Sequence, residues 1–307
     1  VDAILDDLRG KEFDRIIAVG GGTVIDIAKV LTVAKSTDRV DDLYDRMANL
    51  EKEHELIIVP TTCGTGSEVT NISIINRTTK GVKVGLVSPA MFADEAALVP
   101  GMLLSLPYPV FATSSIDAMV HAVESYLSPN ACALSELFSA KALHLILSCW
   151  KDAVAAGGKD AWKKHALEFL RASNYAGIAF GHAGCAAVHA MAYPLGGVHH
   201  IPHGQANQLM FADVMRKYQE KKPIGKLNQL EELLGAELDV EPVFSLENLY
   251  KLMDEVLKKD PLHEHGVTAD ELPVFAKNVI ETQQRLLGNN YVELSEDDLL
   301  DIYRKAF

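Results

Sequence analysis

The sequence predicts an α/β fold followed by an all-α fold, with an α/β domain over residues 1–105 and a helical domain over residues 106–307. Three observations predict this division. First, a chain of 307 residues exceeds the usual size of a single hydrophobic core. Second, short apolar runs rich in β-branched residues alternate with helical segments as far as residue 105. Third, beyond Pro107 the apolar residues recur at helical spacing.

The first part contains a predicted helix, TVIDIAKVLTVAK, and four strand-like runs, RIIAVG, ELIIVP, NISIIN and VKVGLV. Continuous apolar runs of this length are typical of buried strands. The second part contains longer helical segments, among them FATSSIDAMVHAVESYL and LSELFSAKALHLILSCW. Because the chain opens at Val1, just before a strand-turn-helix unit, we expect an N-terminal piece of the α/β domain to be missing.

Composition excludes several classes of partner. The formal net charge of −13 argues against nucleic-acid binding, which requires clustered Lys and Arg. No apolar run approaches the roughly 20 residues of a membrane-spanning helix, so we expect no membrane partner. The four cysteines lie far apart without a CxxC pair, which is typical of a reducing compartment, and we expect a cytoplasmic protein.

Three glycines, Gly20 to Gly22, follow the first predicted strand, and a helix is predicted to open near Thr23. Backbone N–H groups at such a turn can approach a phosphate closely, and the helix N-terminus adds a partial positive charge. The alternative is a tight turn that needs glycine for positive φ. The run is not the GxGxxG fingerprint of dinucleotide-binding folds, so it indicates a phosphate site in general terms.

A second polar loop, PTTCGTGSE, follows the second predicted strand and supplies the hydroxyl groups of Thr61, Thr62 and Thr65. In open α/β sheets, ligands bind beyond the carboxyl ends of the strands. The alternative is an ordinary polar turn with a helix cap. Two such loops after two strands together favour a nucleotide.

Asp117 and His121 are four residues apart, so they share one face of a predicted helix, and Glu124 continues the same stripe. A carboxylate and an imidazole in this register are half of a metal site. The alternative is structural, because Ser114 and Asp117 also match a capping box at a helix start.

The other half of a metal site is predicted near the chain segment GGVHHIPHG. His189 lies on a predicted helix that the Gly196–Gly197 pair ends, and His203 follows between Pro202 and Gly204. With Asp117 and His121, these histidines form a set of three nitrogens and one oxygen that suits Zn²⁺ or Fe²⁺.

Tyr193 lies one helical turn after His189, so the two side chains share one face of the predicted helix, and the phenol of Tyr193 is predicted to position a substrate. The alternative is a buried aromatic ring beside Pro194. His199 is expected to be a hydrogen-bonding neighbour of the site, and Tyr193 and His199 are the candidate catalytic residues.

The motifs GGGTVIDIAK, PTTCGTGSE, the Asp117–His121 pair and HAMAYPLGGVHHIPHG occur together along this chain. In that order and spacing, they resemble the iron-containing (group III) alcohol dehydrogenase family. The resemblance implies an N-terminal nucleotide-binding α/β domain, similar to that of dehydroquinate synthase. It also implies a helical metal-binding and catalytic domain, with the active site in the cleft between the two.

The resemblance also assigns roles to individual residues. It implies metal binding by Asp117, His121, His189 and His203. It implies cofactor binding by Gly21, Gly22 and Thr23 at the pyrophosphate, with further contacts from Thr61, Thr62, Thr65 and Lys83. The expected metal is Fe²⁺, with Zn²⁺ as the alternative. The expected cofactor is NAD, and NADP stays open because the segment that recognises the ribose lies in the part expected to be missing.

The expected activity is reversible hydride transfer between NAD(P) and a primary alcohol or its aldehyde. Within the family, HAMAYPLGGVHHIPHG is most similar to the members that interconvert 4-hydroxybutyrate and succinate semialdehyde, so we expect that substrate pair. The alternatives are an uncharged alcohol or diol of the 1,3-propanediol, butanol or lactaldehyde type, a lyase similar to dehydroquinate synthase, and a metal-binding protein without turnover. We expect a homodimer.

Overall fold

A computed structural model describes residues 1–35, 37–77 and 82–307 of the chain. It confirms the predicted fold class, an α/β part followed by a helical part. All strands in the described ranges precede residue 97, and the long helices follow from Tyr108. The domain boundary between residues 105 and 106 stays a prediction.

Each of the four strand-like runs forms a strand, and a short fifth strand follows. The strands are β1 (Arg15–Gly20), β2 (Glu55–Pro60), β3 (Ile72–Arg77), β4 (Val82–Val87) and β5 (Glu95–Ala96). A parallel sheet has the order β1-β2-β5, while β3 and β4 pair antiparallel. Gly20 lies opposite Pro60, so β1 and β2 end at the same edge of the sheet.

The expectation of buried strands is wrong for β1. Side chains alternate between the two faces of a strand. Ala18 is buried on the face that packs against a helix, whereas Ile17 and Val19 are 61% and 50% exposed on the opposite face. Within the described ranges, β1 has a neighbouring strand on one side only, β2.

Three helices belong to the first part: α1 (Asp2–Leu8), α2 (Gly22–Val33) and α3 (Val40–Asp45). The longest, α2, packs against β1, β2 and β3. Its buried Lys29 donates hydrogen bonds of 2.9 Å to Ser67 Oγ, Thr70 Oγ1 and the carbonyl of Ile72. The three bonds fasten the segment after β2 to α2, and burial lowers the pKa of Lys29 to about 8.

The second part is a bundle of ten α-helices within the described ranges. They are α4 (Tyr108–Leu127), α5 (Ala133–Ala156), α6 (Ala166–Ala183), α7 (Ala187–His199), α8 (His203–Lys221), α9 (Lys226–Leu238), α10 (Ser245–Val256), α11 (Glu271–Thr282), α12 (Gln284–Leu287) and α13 (Glu296–Ala306). At its centre, α4 packs against α5, α6, α8 and α9. Every α4 residue from Ser115 to Leu127 is therefore buried. None of the helices described combines the length and apolar character that a membrane span requires.

Two details differ from the sequence interpretation. Because α4 begins at Tyr108, Ser114 and Asp117 lie inside the helix, and the capping-box alternative is wrong.

The predicted end of α7 at Gly196–Gly197 is also wrong, since the helix continues to His199. Glycine in a helix costs only about 1 kcal/mol, so the packing of α7 outweighs it. The helix ends where His200 adopts a left-handed conformation with φ of 56°, two residues before Pro202.

Candidate active site

A cavity of about 790 Å³ lies between the carboxyl ends of β1 and β2 and the helices of the second part. Most of the predicted site residues line it: Gly22, Thr23, Thr62, Thr65, Asp117, His121, His189, Tyr193 and His203. Gly21 and Thr61 adjoin lining residues in the chain but do not line the cavity themselves. Lys83 lies on β4, and its side chain is outside the part of the structure that is described. The cavity is large enough for a small-molecule ligand, for which about 300–1,000 Å³ is usual.

The glycine run at the end of β1, Gly20 to Gly22, allows close packing. None of Gly20, Gly21 and Gly22 has positive φ, so the tight-turn alternative is wrong. A methyl group on Gly20 would overlap the Val24 side chain at 2.5 Å, and one on Gly22 would lie 3.0 Å from Thr65 Cγ2. The first turn of α2 therefore lies directly against the loop that follows β2.

That second loop is held against the helical part. Gly64 lies so close to α4 that a methyl group on it would be 2.7 Å from the carbonyl oxygen of Ser114. Gly66 has φ of 54°, and its Cα lies against Gly177 of α6. The carbonyl of Gly64 is also 3.3 Å from His121 Nδ1. The loop thus contacts α4 beside two of the predicted metal ligands.

The four predicted metal ligands converge around the carboxylate of Asp117. Its Oδ1 lies 3.5 Å from His189 Nε2, 3.5 Å from His203 Nε2 and 3.9 Å from His121 Nδ1. Asp117, His121 and His189 are buried, whereas the side chain of His203 is 44% exposed. Ligand atoms of Asp117, His189 and His203 lie within 4.8 Å of one another, as a shared metal ion requires.

Glu124 has a role that sequence analysis missed. Its position on the same helix face as Asp117 and His121 could have indicated that it belongs to the site. Its buried carboxylate accepts hydrogen bonds from His189 Nδ1 at 2.6 Å, from Ala186 N at 2.8 Å and from Val188 N at 2.6 Å. Because Nδ1 donates to Glu124, the other ring nitrogen of His189 faces Asp117. A carboxylate in this position is a frequent partner of metal-binding histidines.

The electrostatics of the cluster favour a bound cation. Burial alone would lower the pKa of His189, yet Glu124 and Asp117 raise it to about 9. Burial would likewise raise the pKa of Asp117, but His121, His203 and His189 keep it below its ordinary value. At His121, burial prevails and lowers the pKa to about 3, so its ring is neutral and keeps a lone pair.

Two further residues at the cluster were missed. Asn207, one turn after His203 on α8, donates a hydrogen bond of 2.8 Å from Nδ2 to Asp117 Oδ1, while its own buried Oδ1 has no hydrogen-bond partner among the described residues. The thiol of Cys185 forms a second group with His121 and His189, whose ligand atoms also lie within 4.8 Å of one another. The i+4 spacing from His203 was a signal for Asn207, but no motif indicated Cys185.

The two candidate catalytic residues have different positions. Tyr193 lines the cavity, with its ring centre 6.0 Å from that of His203, and also packs against the helical core. Burial raises the pKa of Tyr193, so its phenol stays protonated. His199 lies outside the lining, where its Nε2 is 3.0 Å from Glu271 Oε1 of α11. The structure does not bring His199 to the other site residues.

The cavity therefore joins a cluster suited to a cation with a helix N-terminus suited to an anion. Two family models match the chain: "Iron-containing alcohol dehydrogenase" over residues 1–100, and "Fe-containing alcohol dehydrogenase family, C-terminal" over residues 111–307. The chain belongs to the iron-containing alcohol dehydrogenase family and is an oxidoreductase. The lyase alternative is not supported, because the relatives described next are oxidoreductases.

Similar proteins cover the whole chain. A 4-hydroxybutyrate dehydrogenase of Clostridium kluyveri is 46% identical over 307 residues, which are 100% of this chain and 82% of the relative. The crystal structure of a 1,3-propanediol oxidoreductase has a TM-score of 0.85 and 28% identity, covering 100% of this chain and 80% of that one. A sulfoacetaldehyde reductase from Bifidobacterium kashiwanohense, solved in complex with NAD⁺, shares the fold at a TM-score of 0.88 and 24% identity, covering 99% and 79%.

Two glycine substitutions test the packing that places His203. A methyl group on Gly204 would lie 1.9 Å from the carbonyl oxygen of Thr113, so Gly204→Ala must push α8 away from α4. We expect it to lower the free energy of unfolding by about 2–3 kcal/mol. Gly197 lies in α7 with nothing within 4 Å of such a methyl group, and Gly197→Ala should raise stability by about 0.5–1 kcal/mol. Denaturant unfolding measures both values, and a Gly204→Ala protein of unchanged stability would contradict the close approach of α8 to α4.

Proposed function

We propose that this protein catalyses the reversible NAD-dependent interconversion of 4-hydroxybutyrate and succinate semialdehyde. The observation that carries the proposal is the 46% identity to the Clostridium kluyveri enzyme over all 307 residues of the chain. The cavity supports it, because residues suited to a metal ion and residues suited to a dinucleotide line one continuous space.

The proposed metal ligands are Asp117, His121, His189 and His203. Three imidazoles around one carboxylate oxygen, within 4 Å of it, fit a divalent ion of the Fe²⁺ or Zn²⁺ type. The family supports Fe²⁺ as the resident metal. Glu124 orients His189, and Asn207 holds the carboxylate of Asp117 in place.

The proposed cofactor site is the N-terminal end of α2 and the loop after β2. Gly21, Gly22 and Thr23 offer backbone N–H groups at a helix N-terminus, which attracts a pyrophosphate. Thr61, Thr62, Thr65 and Lys83 are the further proposed contacts. NAD is proposed in preference to NADP, supported by the NAD⁺ complex of the structural relative.

The chemistry divides between the bound groups and the chain. When bound, the metal ion supplies Lewis acidity towards the substrate oxygen, and the nicotinamide supplies the redox chemistry. The buried cluster of Asp117 and the histidines would hold the metal ion, and the first turn of α2 would hold the cofactor. Since the loop after β2 contacts α4 directly, both are held at a defined separation, which lowers the entropic cost of reaction.

Tyr193 is proposed to position the substrate. Its phenol stays protonated, so it can donate a hydrogen bond but is a poor base at neutral pH. His199 is not proposed to act in catalysis, because it pairs with Glu271 outside the cavity.

We also propose that the protein is a cytoplasmic homodimer. The four cysteines are free thiols, which supports a reducing compartment. The exposed Leu134 and Leu137, one turn apart at the start of α5, support self-association. Light scattering of the purified protein measures its mass and so tests the dimer.

An uncharged diol is the second candidate substrate. The structural relative of 28% identity is a 1,3-propanediol oxidoreductase, and it covers the whole chain. The aldehyde of that diol, 3-hydroxypropanal, is therefore the appropriate competitor in any assay of substrate preference.

The proposed substrate is tested by following NADH oxidation with each aldehyde. Protein loaded with Fe²⁺ under anaerobic conditions should show a kcat/KM for succinate semialdehyde at least about tenfold above that for 3-hydroxypropanal. NADPH should support a lower rate than NADH. Metal-free protein is the control, and a preference for 3-hydroxypropanal would replace the proposed substrate by the diol.

The metal ligands are tested by elemental analysis after metal loading. His203→Ala and His121→Ala should each lose most of the bound metal and nearly all activity, because each removes one of four ligands. Glu124→Gln should weaken metal binding by about 10- to 100-fold by releasing His189. His144→Ala is the control, since His144 pairs with Glu237 on the surface of the bundle. Full metal content in His203→Ala or His121→Ala would remove that residue from the ligand set.

The role of Tyr193 is tested by Tyr193→Phe. Loss of one neutral hydrogen bond should cost about 1 kcal/mol of transition-state stabilisation, a roughly fivefold lower kcat/KM, with metal and cofactor binding retained. Thermal melting of the same variant checks the fold. A kcat/KM equal to that of the wild type would leave Tyr193 with a packing role only.

A further inference from the structure

The substrate proposed above carries a carboxylate at the end opposite its reacting carbon. A site that selects such a substrate needs a cation, because a carboxylate removed from water without a partner is strongly disfavoured. Near the metal cluster, Asp117 lines the cavity and Glu124 lies behind it, and both carboxylates oppose the binding of a substrate carboxylate there. The cation must therefore come from another part of the lining.

Arg285 is the one lysine or arginine among the described side chains that line the cavity. It is exposed, so it lies where the cavity opens to solvent. Tyr193 and Cys185, which lie beside the predicted metal ligands, line the same cavity as Arg285. The guanidinium therefore shares one continuous space with the proposed reaction site.

The guanidinium of Arg285 is available for a ligand. No residue in the described ranges accepts a hydrogen bond from it or forms an ion pair with it. By contrast, Arg216 pairs with Asp213 and Glu247, and Arg39 pairs with Asp6. An unpaired guanidinium beside a cavity can bind a carboxylate through two parallel hydrogen bonds.

The backbone of Arg285 is fixed to the segment before the metal-binding helix. Leu286, the next residue of α12, is buried and also lines the cavity. Asn289, just beyond α12, donates from Nδ2 to the carbonyl of Cys185 at 2.9 Å and accepts from Asn130 Nδ2 at 2.8 Å. Gly184 leaves the space that Asn289 fills, since a methyl group there would lie 2.2 Å from Asn289 Nδ2.

We propose that Arg285 forms an anion-binding subsite at the opening of the cavity, which holds the carboxylate of a substrate whose other end reacts at the metal cluster. The inference rests on the proposed function and narrows it to ω-hydroxy acids and their semialdehydes. In this proposal Arg285 selects the substrate, because it binds the end of the molecule that does not react.

The test compares two four-carbon aldehydes that differ in charge, succinate semialdehyde and butanal. Arg285→Gln should lower kcat/KM for succinate semialdehyde by about 10- to 100-fold, mainly through KM, as expected for a lost charge-assisted hydrogen bond. The kcat/KM for butanal should change by less than about twofold, because butanal has no charged group for Arg285 to bind. Arg285→Lys should recover part of the preference for succinate semialdehyde. It restores the positive charge but not the two parallel N–H donors of the guanidinium.

Arg304→Gln is the matched control, because Arg304 is an exposed arginine on α13 outside the cavity lining. Arg304→Gln should leave kcat/KM unchanged for both aldehydes. The dissociation constant for NADH, measured by fluorescence titration, should be the same in wild type and Arg285→Gln.

The outcomes separate this inference from the proposed function. Suppose that the wild type prefers succinate semialdehyde. If Arg285→Gln then lowers kcat/KM equally for both aldehydes, or changes kcat/KM for neither, the subsite is wrong and the proposed substrate stands. A weaker NADH complex in Arg285→Gln would assign the guanidinium to the cofactor and also overturn the subsite. If wild type prefers butanal, the proposed substrate fails and the subsite fails with it.

Discussion

The carboxylate of Glu124 is inaccessible to solvent and is satisfied by donors from a single place, the N-terminal end of α7. The unpaired N–H groups and the dipole at a helix N-terminus favour a negative charge there. One side chain of α4 therefore fixes both the start of α7 and the ring of His189. Because His121 and Asp117 lie one and two turns earlier on α4, the rest of the cluster is placed relative to that contact.

The same helix also connects the cluster to the α/β part of the chain. Gly64 allows the loop after β2 to touch the backbone of Ser114, one turn before Asp117, and its carbonyl lies beside the ring of His121. On its other side, this loop meets the first turn of α2 through Thr62 and Thr65. Since each contact leaves no room for a methyl group without displacement, the relative position of cluster and glycine turn depends on backbone packing more than on long side chains.

Local patterns predicted the elements well, because strand and helix periodicity and the residues on one helix face are properties of neighbouring positions. The four strands, the helical second part and the Asp117–His121–Glu124 stripe are of this kind. The end of α7 was misjudged because tertiary packing outweighed the helix penalty of Gly196 and Gly197. The partners of Glu124, the thiol of Cys185 and the place of Arg285 depend on contacts between segments distant in sequence, such as Asn289 with Cys185. No short motif records such contacts.

The position of α4 has a consequence for how this chain can change during evolution. Its residues from Ser115 to Leu127 are buried, and three of them face one cluster at intervals of four and three. Inserting or deleting one residue between Asp117 and Glu124 would leave a good helix but turn everything beyond it by about 100°. The length of this helix therefore cannot change without breaking the cluster, whereas insertions should be tolerated in surface connections such as that between α5 and α6.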